Sequence, residues 1–195
     1  MPERAFIIHG YQGYPAEAWQ PWLKSELEKR GFLVALPAMP HPNSPTIPEW
    51  TAFIANLVGK PDQETVMIGH SLGAQAVLHY LEALGGSGES VGRTVLIASN
   101  FPLGMTPQAA DERAGSDTAL QPWLISGLDP GKVKIAAGKC TVILSENDPY
   151  IPFEEAKASF VPSLGAEIVA EKGKGHFNED DKITELPAAL AAVLR

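Results

Sequence analysis

Three residue types that can together attack a carbonyl sit far apart in this chain, each just beyond an apolar, strand-like run. Val66-Met67-Ile68 leads into Gly69-His70-Ser71-Leu72-Gly73, and a helix-forming stretch follows without a break. A G-x-S-x-G turn between strand and helix lifts a serine oxygen out of the top of a sheet, and both glycines leave room for that sharp turn. Asp148 lies in Ser145-Glu146-Asn147-Asp148-Pro149 after a second apolar run. His176 lies in Gly173-Lys174-Gly175-His176-Phe177 after a third. A serine hydroxyl is a poor nucleophile at neutral pH unless a histidine takes its proton. A carboxylate must then fix the tautomer of that histidine and stabilise its cation.

The chain has five histidines, and position narrows them to one. His79 is eight residues along the helix from Ser71, about 12 Å at 1.5 Å per residue. His70 is adjacent to the serine and points elsewhere, and His41 lies in a proline-rich loop with no strand to hold it. His9, at the tip of the first strand, fits a lining or shaping role. His176 remains as the base. For the acid, Asp148 is preferred because Pro149 ends the strand and sets a turn there; Glu146 is the reserve. The oxyanion donors should be the backbone N–H of Leu72, after the nucleophile, and one from His9-Gly10-Tyr11-Gln12-Gly13. Tyr11 is the candidate there, with Gln12 as the alternative. Trp123 is the aromatic residue expected to approach a substrate.

These groups need a frame. Strands are expected over 5–8, 32–36, 64–69, 94–98, 140–145 and 166–170. Helices are expected over 21–30, 50–58, 71–84, 154–160 and 183–194, the last with Pro187 in its first turn. The five prolines within 37–48 dictate an extended loop. Gly85-Gly86-Ser87-Gly88 reads as a surface connection, and 101–139 as an insertion with two or three short helices. Alternating strands and helices mean crossover connections, hence a mostly parallel sheet covered on both faces. Such a sheet binds its ligands beyond the carboxyl ends of the strands, where Ser71, Asp148 and His176 all fall. Serine, acid, histidine is also the chain order of α/β-hydrolases.

Composition excludes other classes. The 195 residues suit one domain, 1–195, with an ordinary share of hydrophobic (45%) and charged (19%) residues. A net charge of −8 argues against nucleic acid and anionic membrane as partners. The N-terminus runs directly into 5–8, too short an apolar run for a signal peptide or membrane span. The single cysteine, Cys140, among apolar neighbours, reads as a buried structural thiol in a cytoplasmic protein. No His/Cys/Asp cluster has metal spacing, Gly173-Lys174-Gly175 is not a P-loop, and no cofactor is expected.

The chain resembles the small α/β-hydrolases of the retinoblastoma-binding-protein-9 type nearly end to end. The likeness rests on Gly69-His70-Ser71-Leu72-Gly73-Ala74, Met39-Pro40 followed by Trp50, Glu112-Arg113-Ala114, Gln121-Pro122-Trp123, Asn147-Asp148-Pro149-Tyr150-Ile151-Pro152 and Gly175-His176-Phe177. The resemblance implies a six-stranded parallel sheet, a Ser71-Asp148-His176 site and serine-hydrolase action on small esters or amides. The chain departs from the family at His9-Gly10-Tyr11, where a Pro-Gly type loop is usual. Leu57-Val58-Gly59-Lys60 also offers no counterpart of the retinoblastoma-binding motif. The expectation is a serine hydrolase with a small-molecule acyl substrate. A catalytically silent protein-binding module on the same α/β-hydrolase fold is the alternative.

Overall fold

Side chains on a strand alternate between faces, and here both faces are apolar. On β1 (Arg4–Ile8), Ala5 and Ile7 belong to one core and Phe6 and Ile8 to another. The same split recurs on β3 (Thr65–His70), where Val66 and Ile68 face one side and Met67 the other. A sheet so built must be covered twice. The computed structural model, which describes residues 2–115 and 117–195, shows how. Residue 116, inside the expected insertion, lies outside the described residues.

The sheet has six parallel strands in the order β2-β1-β3-β4-β5-β6, completed by β2 (Leu33–Ala35), β4 (Arg93–Ile97), β5 (Lys139–Ser145) and β6 (Glu167–Glu171). One face is covered by α1 (Gln20–Glu28) and α8 (Pro187–Val193), which bury Leu23, Leu27, Ala189 and Val193. The other carries α2 (Ile47–Val58), α3 (Leu72–Ser87), α6 (Pro130–Ala136) and α7 (Phe153–Leu164). Two shorter helices, α4 (Pro107–Ala114) and α5 (Gln121–Ile125), complete the insertion. The strand order reverses between β1 and β3, and the loops after those two strands flank that switch point, where open α/β sheets bind ligands. Among the described residues, no helix is long and apolar enough to cross a membrane.

The six strands and the α/β-hydrolase layering agree with the sequence reading; several boundaries do not. α2 begins at Ile47 because Thr46 caps it, its hydroxyl accepting from the Glu49 N–H, with Pro48 tolerated in the first turn. The terminal helix starts only at Pro187, so 183–186 is not helical. A proline fixes a first turn but cannot continue an earlier one. The expected break at Gly85-Gly86 is also absent: α3 runs on to Ser87, and left-handed Gly88 ends it. Gly85 is there for packing, since a Cβ on it would overlap the Lys132 carbonyl of α6. Cys140 is buried as expected, and burial pushes its thiol pKa up to about 12.

These neighbouring glycines should respond oppositely to substitution. Gly86 has open space around its Cβ position, so Gly86→Ala should gain about 0.5–1 kcal/mol from helix propensity. Gly85→Ala should lose about 1–3 kcal/mol through overpacking. Urea unfolding of both variants checks this, and equal effects would refute the packing role of Gly85.

Candidate active site

The first turn of α3 packs against the end of β1 with no space between. A Cβ on Gly73 would overlap the carbonyl oxygens of Ile8 and His9, and one on Gly69 would stand 2.5 Å from the Ala74 Cα. Between these glycines the backbone turns through Ser71 at φ 53° and ψ −121°, a conformation costly for any residue with a side chain. The Ser71 N–H donates to the Ile97 carbonyl at 2.9 Å and anchors the turn to β4. The hydroxyl is thereby held above the sheet.

There it meets the two other groups. The Ser71 hydroxyl lies 2.8 Å from His176 Nε2, and His176 Nδ1 lies 2.9 Å from Asp148 Oδ2. The carboxylate fixes the tautomer, with the hydrogen on Nδ1 and Nε2 free to accept from serine. Asp148 also caps its own turn: Oδ1 accepts from the N–H groups of Tyr150 (2.9 Å) and Ile151 (3.0 Å). Its side chain is 1% exposed. Both readings of an Asp-Pro acid, turn former and histidine partner, hold for this residue. Glu146, the reserve, is exposed and makes no side-chain bond among the described residues.

Several bonds that sequence reasoning missed hold His176 in place. The Asp181 carboxylate accepts from the His176 N–H at 2.7 Å and fills the space a Cβ on Gly175 would need. Asn147 Oδ1 accepts from the Ser145 hydroxyl (2.8 Å) and the Gly175 N–H (3.1 Å), tying the acid loop to the histidine loop. Phe177, at φ 57°, plugs into the core on the α1/α8 side. His70 points away from the serine oxygen as expected, and its Nε2–H donates to the His176 carbonyl at 2.8 Å. Only the polar type of these residues, in loops next to catalytic candidates, could have signalled them.

The loop after β1 chooses between the two oxyanion candidates. Gln12 spends its N–H on the Pro42 carbonyl (2.9 Å). The amides of Tyr11 and Leu72 donate to no acceptor among the described residues, which leaves them available. One expectation needs correction. His9 lines no site: it is fully buried, its Nδ1 bonded to the Gly10 carbonyl and its Nε2 accepting from the Met39 N–H, both at 2.9 Å. Burial lowers its pKa, against the Gly10 bond, and the ring pins the proline loop. Trp123 is also fully buried, its indole N–H donating to the Pro45 carbonyl at 3.1 Å and its ring edge-on to Trp50. From the core its ring also lines a cleft, the place where it would meet a substrate. His79 is buried against Trp123, and exposed His41 pairs with Glu49.

The neutrality of His70 has a measurable consequence. Burial, helped by nearby His176, lowers its pKa from 6.5 to about 3, so below about pH 6.5 the unfolded chain binds a proton that the folded one refuses. Stability should therefore be full above pH 6.5 and fall as the pH drops toward 3, by up to about 1.4 kcal/mol per pH unit from this residue. Urea unfolding at pH 7.5, 6 and 5 should show that fall, and His70→Asn, which keeps an N–H for the His176 carbonyl, should flatten it. Identical slopes would refute the assignment.

Comparison with known proteins agrees with the fold. The serine hydrolase family model matches residues 5–195. YdeN of Bacillus subtilis (strain 168) is 29% identical over 188 residues, 96% of this chain and 92% of that protein. The serine hydrolase RBBP9 of Rattus norvegicus is 26% identical over 184 residues, 92% of this chain and 90% of its own length. The crystal structure of the B. subtilis ydeN gene product superposes with a TM-score of 0.83 at 26% identity, covering 98% of this chain and 97% of that one. Est1E from Butyrivibrio proteoclasticus, at 15% identity and a TM-score of 0.73, shares the fold over 98% of this chain and 85% of its own. Matched along nearly its whole length in sequence and in architecture, the chain belongs to the serine hydrolase family and is a hydrolase of the α/β-hydrolase fold.

Proposed function

We propose that the protein is a cytoplasmic serine esterase acting on small acyl substrates through Ser71, His176 and Asp148. One observation carries the reading: the continuous line of hydrogen bonds, 2.8 and 2.9 Å, from the Ser71 hydroxyl through His176 to Asp148. In the proposed cycle His176 Nε2 takes the Ser71 proton as the oxygen attacks the carbonyl. The Leu72 and Tyr11 N–H groups receive the oxyanion, each such donor being worth about 10²–10³ in rate. His176 then gives its proton to the leaving group, and the acyl-serine forms. Water, deprotonated by the same imidazole, attacks the acyl-serine and releases the acid. Asp148 stays ionised throughout and stabilises the imidazolium. The strained Ser71 backbone fits this role, because such geometry persists only where the surroundings enforce it.

Esters, thioesters and amides share this chemistry and differ in the leaving group. A panel of 4-nitrophenyl esters, acyl-CoA thioesters and aminoacyl anilides sorts them; esters of short acids should be turned over fastest. A fluorophosphonate probe should label the folded protein, and Ser71→Ala should abolish both labelling and turnover. Asp148→Asn should leave the fold intact and lower kcat by up to about 10⁴. Folded protein that neither labels nor cleaves any of the panel would reject the enzyme in favour of a silent binding module.

A further inference from the structure

One strand tip above the sheet carries none of the proposed catalytic groups. At the end of β4 the chain turns through Ala98 at φ 50°, a conformation that a residue with a Cβ adopts only under constraint. Ser99 and Asn100 follow, and Asn100 helps to wall a cleft of about 190 Å³. The rest of the wall is mostly apolar, from Phe101, Leu103, Trp123 and Ile151. The cleft lies beside the proposed site. Ile151 follows Tyr150, whose ring stands edge-on 5.0 Å from that of His176. Gln75, also in the wall, lies one helical turn beyond Ser71.

Gln75 is the odd residue in that wall. It is 6% exposed, and helical side chains lean toward the helix N-terminus, here toward Ser71. Its Nε2 donates to Asn100 Oδ1 at a long 3.4 Å, while its Oε1 is buried with no partner among the described residues. A buried acceptor left unpaired is costly, and native structures keep few of them. The Asn100 Nδ2 likewise donates to no described residue. The two amides together leave one acceptor and one donor in a cleft whose other lining is mostly apolar, with Arg113, Glu155 and Ser159 as its further polar residues.

We propose that this cleft is the acyl subsite and that it selects acyl groups carrying a secondary amide. The amide N–H donates to Gln75 Oε1, its carbonyl accepts from Asn100 Nδ2, and the flanking methylenes lie on the apolar wall. One helical turn is about 5–6 Å, so the amide nitrogen sits about four bonds from the reacting carbonyl carbon. The inference rests on Ser71 being the nucleophile.

Two esters with one leaving group test it: 4-nitrophenyl 4-acetamidobutanoate and 4-nitrophenyl heptanoate, of equal chain length. The unmodified protein should show kcat/KM about tenfold in favour of the amide, the effect of one well-placed hydrogen bond. Gln75→Leu should bring the ratio down to about one, whatever happens to the absolute rates. The 4-nitrophenyl ester of 6-oxoheptanoate, in which a methylene replaces the N–H while the carbonyl and the chain length stay, should lose most of the preference with the unmodified protein and does not depend on the variant folding. Equal kcat/KM for the first two esters, or a preference that survives in the 6-oxoheptanoate ester, overturns the subsite while Ser71 labelling still upholds the hydrolase. Labelled protein that turns over neither ester also overturns it. Failure of both labelling and turnover overturns the nucleophile and the subsite together.

Discussion

The contact between the first turn of α3 and the end of β1 governs the geometry of the whole upper face. With no side chain at position 73, the helix can settle directly onto the Ile8 and His9 carbonyls. That approach brings Gly10, in the loop after β1, against Ser71 and the His70 carbonyl, beside the start of α3. It also compresses the turn at Ser71 into its unfavourable conformation. A helix N-terminus adds partial positive charge at that place. Position of the serine, strain in its backbone and a favourable field for an oxyanion thus have one steric origin.

A strained turn survives only if its surroundings outweigh the cost, about 1–3 kcal/mol for such a residue. Here they do so through bonds between loops. Ser71 is tied to β4 through Ile97, and His70 next to it holds the histidine loop by the His176 carbonyl. Ser145 and Asn147 hold that loop from the acid side, and Asp181 from below. Each net hydrogen bond contributes only about 1 kcal/mol, yet together they leave the imidazole one orientation. The proline loop is fixed in the same way from beneath, by His9, Gln12, Trp50 and Trp123 bonding to Met39, Pro42, Pro40 and Pro45.

That pattern explains what could and could not be read from the chain. Ser71, Asp148 and His176 were legible because each follows an apolar run, and a strand's end can be recognised without knowing its neighbours. Their parallel pairing followed from alternation with helices; the order of the strands in the sheet did not. His9 was misjudged for a definite reason. It is a polar-tipped aromatic near the top of the sheet, as a substrate-facing residue would be, but its Nε2 accepts from the Met39 N–H, 30 positions away, and the Trp123 indole N–H is spent in the same way on the Pro45 carbonyl, 78 positions away. Nothing local reveals such a partner. Gly85-Gly86 misled by the same logic, since glycine marks a loop or a close approach, and only the Lys132 carbonyl across from it distinguishes the two. The insertion was least legible because its helices are short and lack a sustained apolar period.

Division of labour among the strand tips follows from these placements. In the proposed mechanism the ends of β1, β3, β5 and β6 supply the oxyanion donors, nucleophile, acid and base, and their loops are bonded to one another. Any residue there that changes shape disturbs several partners at once. The end of β4 is different: it anchors Ser71 through Ile97 by backbone alone, which leaves the side chains of the residues after it free of the chemistry. Among the described residues, the insertion that follows is joined to the acid loop by one side-chain bond to a main-chain group, Arg113 to the Tyr150 carbonyl at 3.0 Å. Selectivity can therefore reside at Asn100, in the insertion and on the next turn of α3 without disturbing proton transfer. A hydrolase that must keep one reaction while accommodating different acyl groups requires that separation, and in this sheet the β4 side of the proposed site provides it.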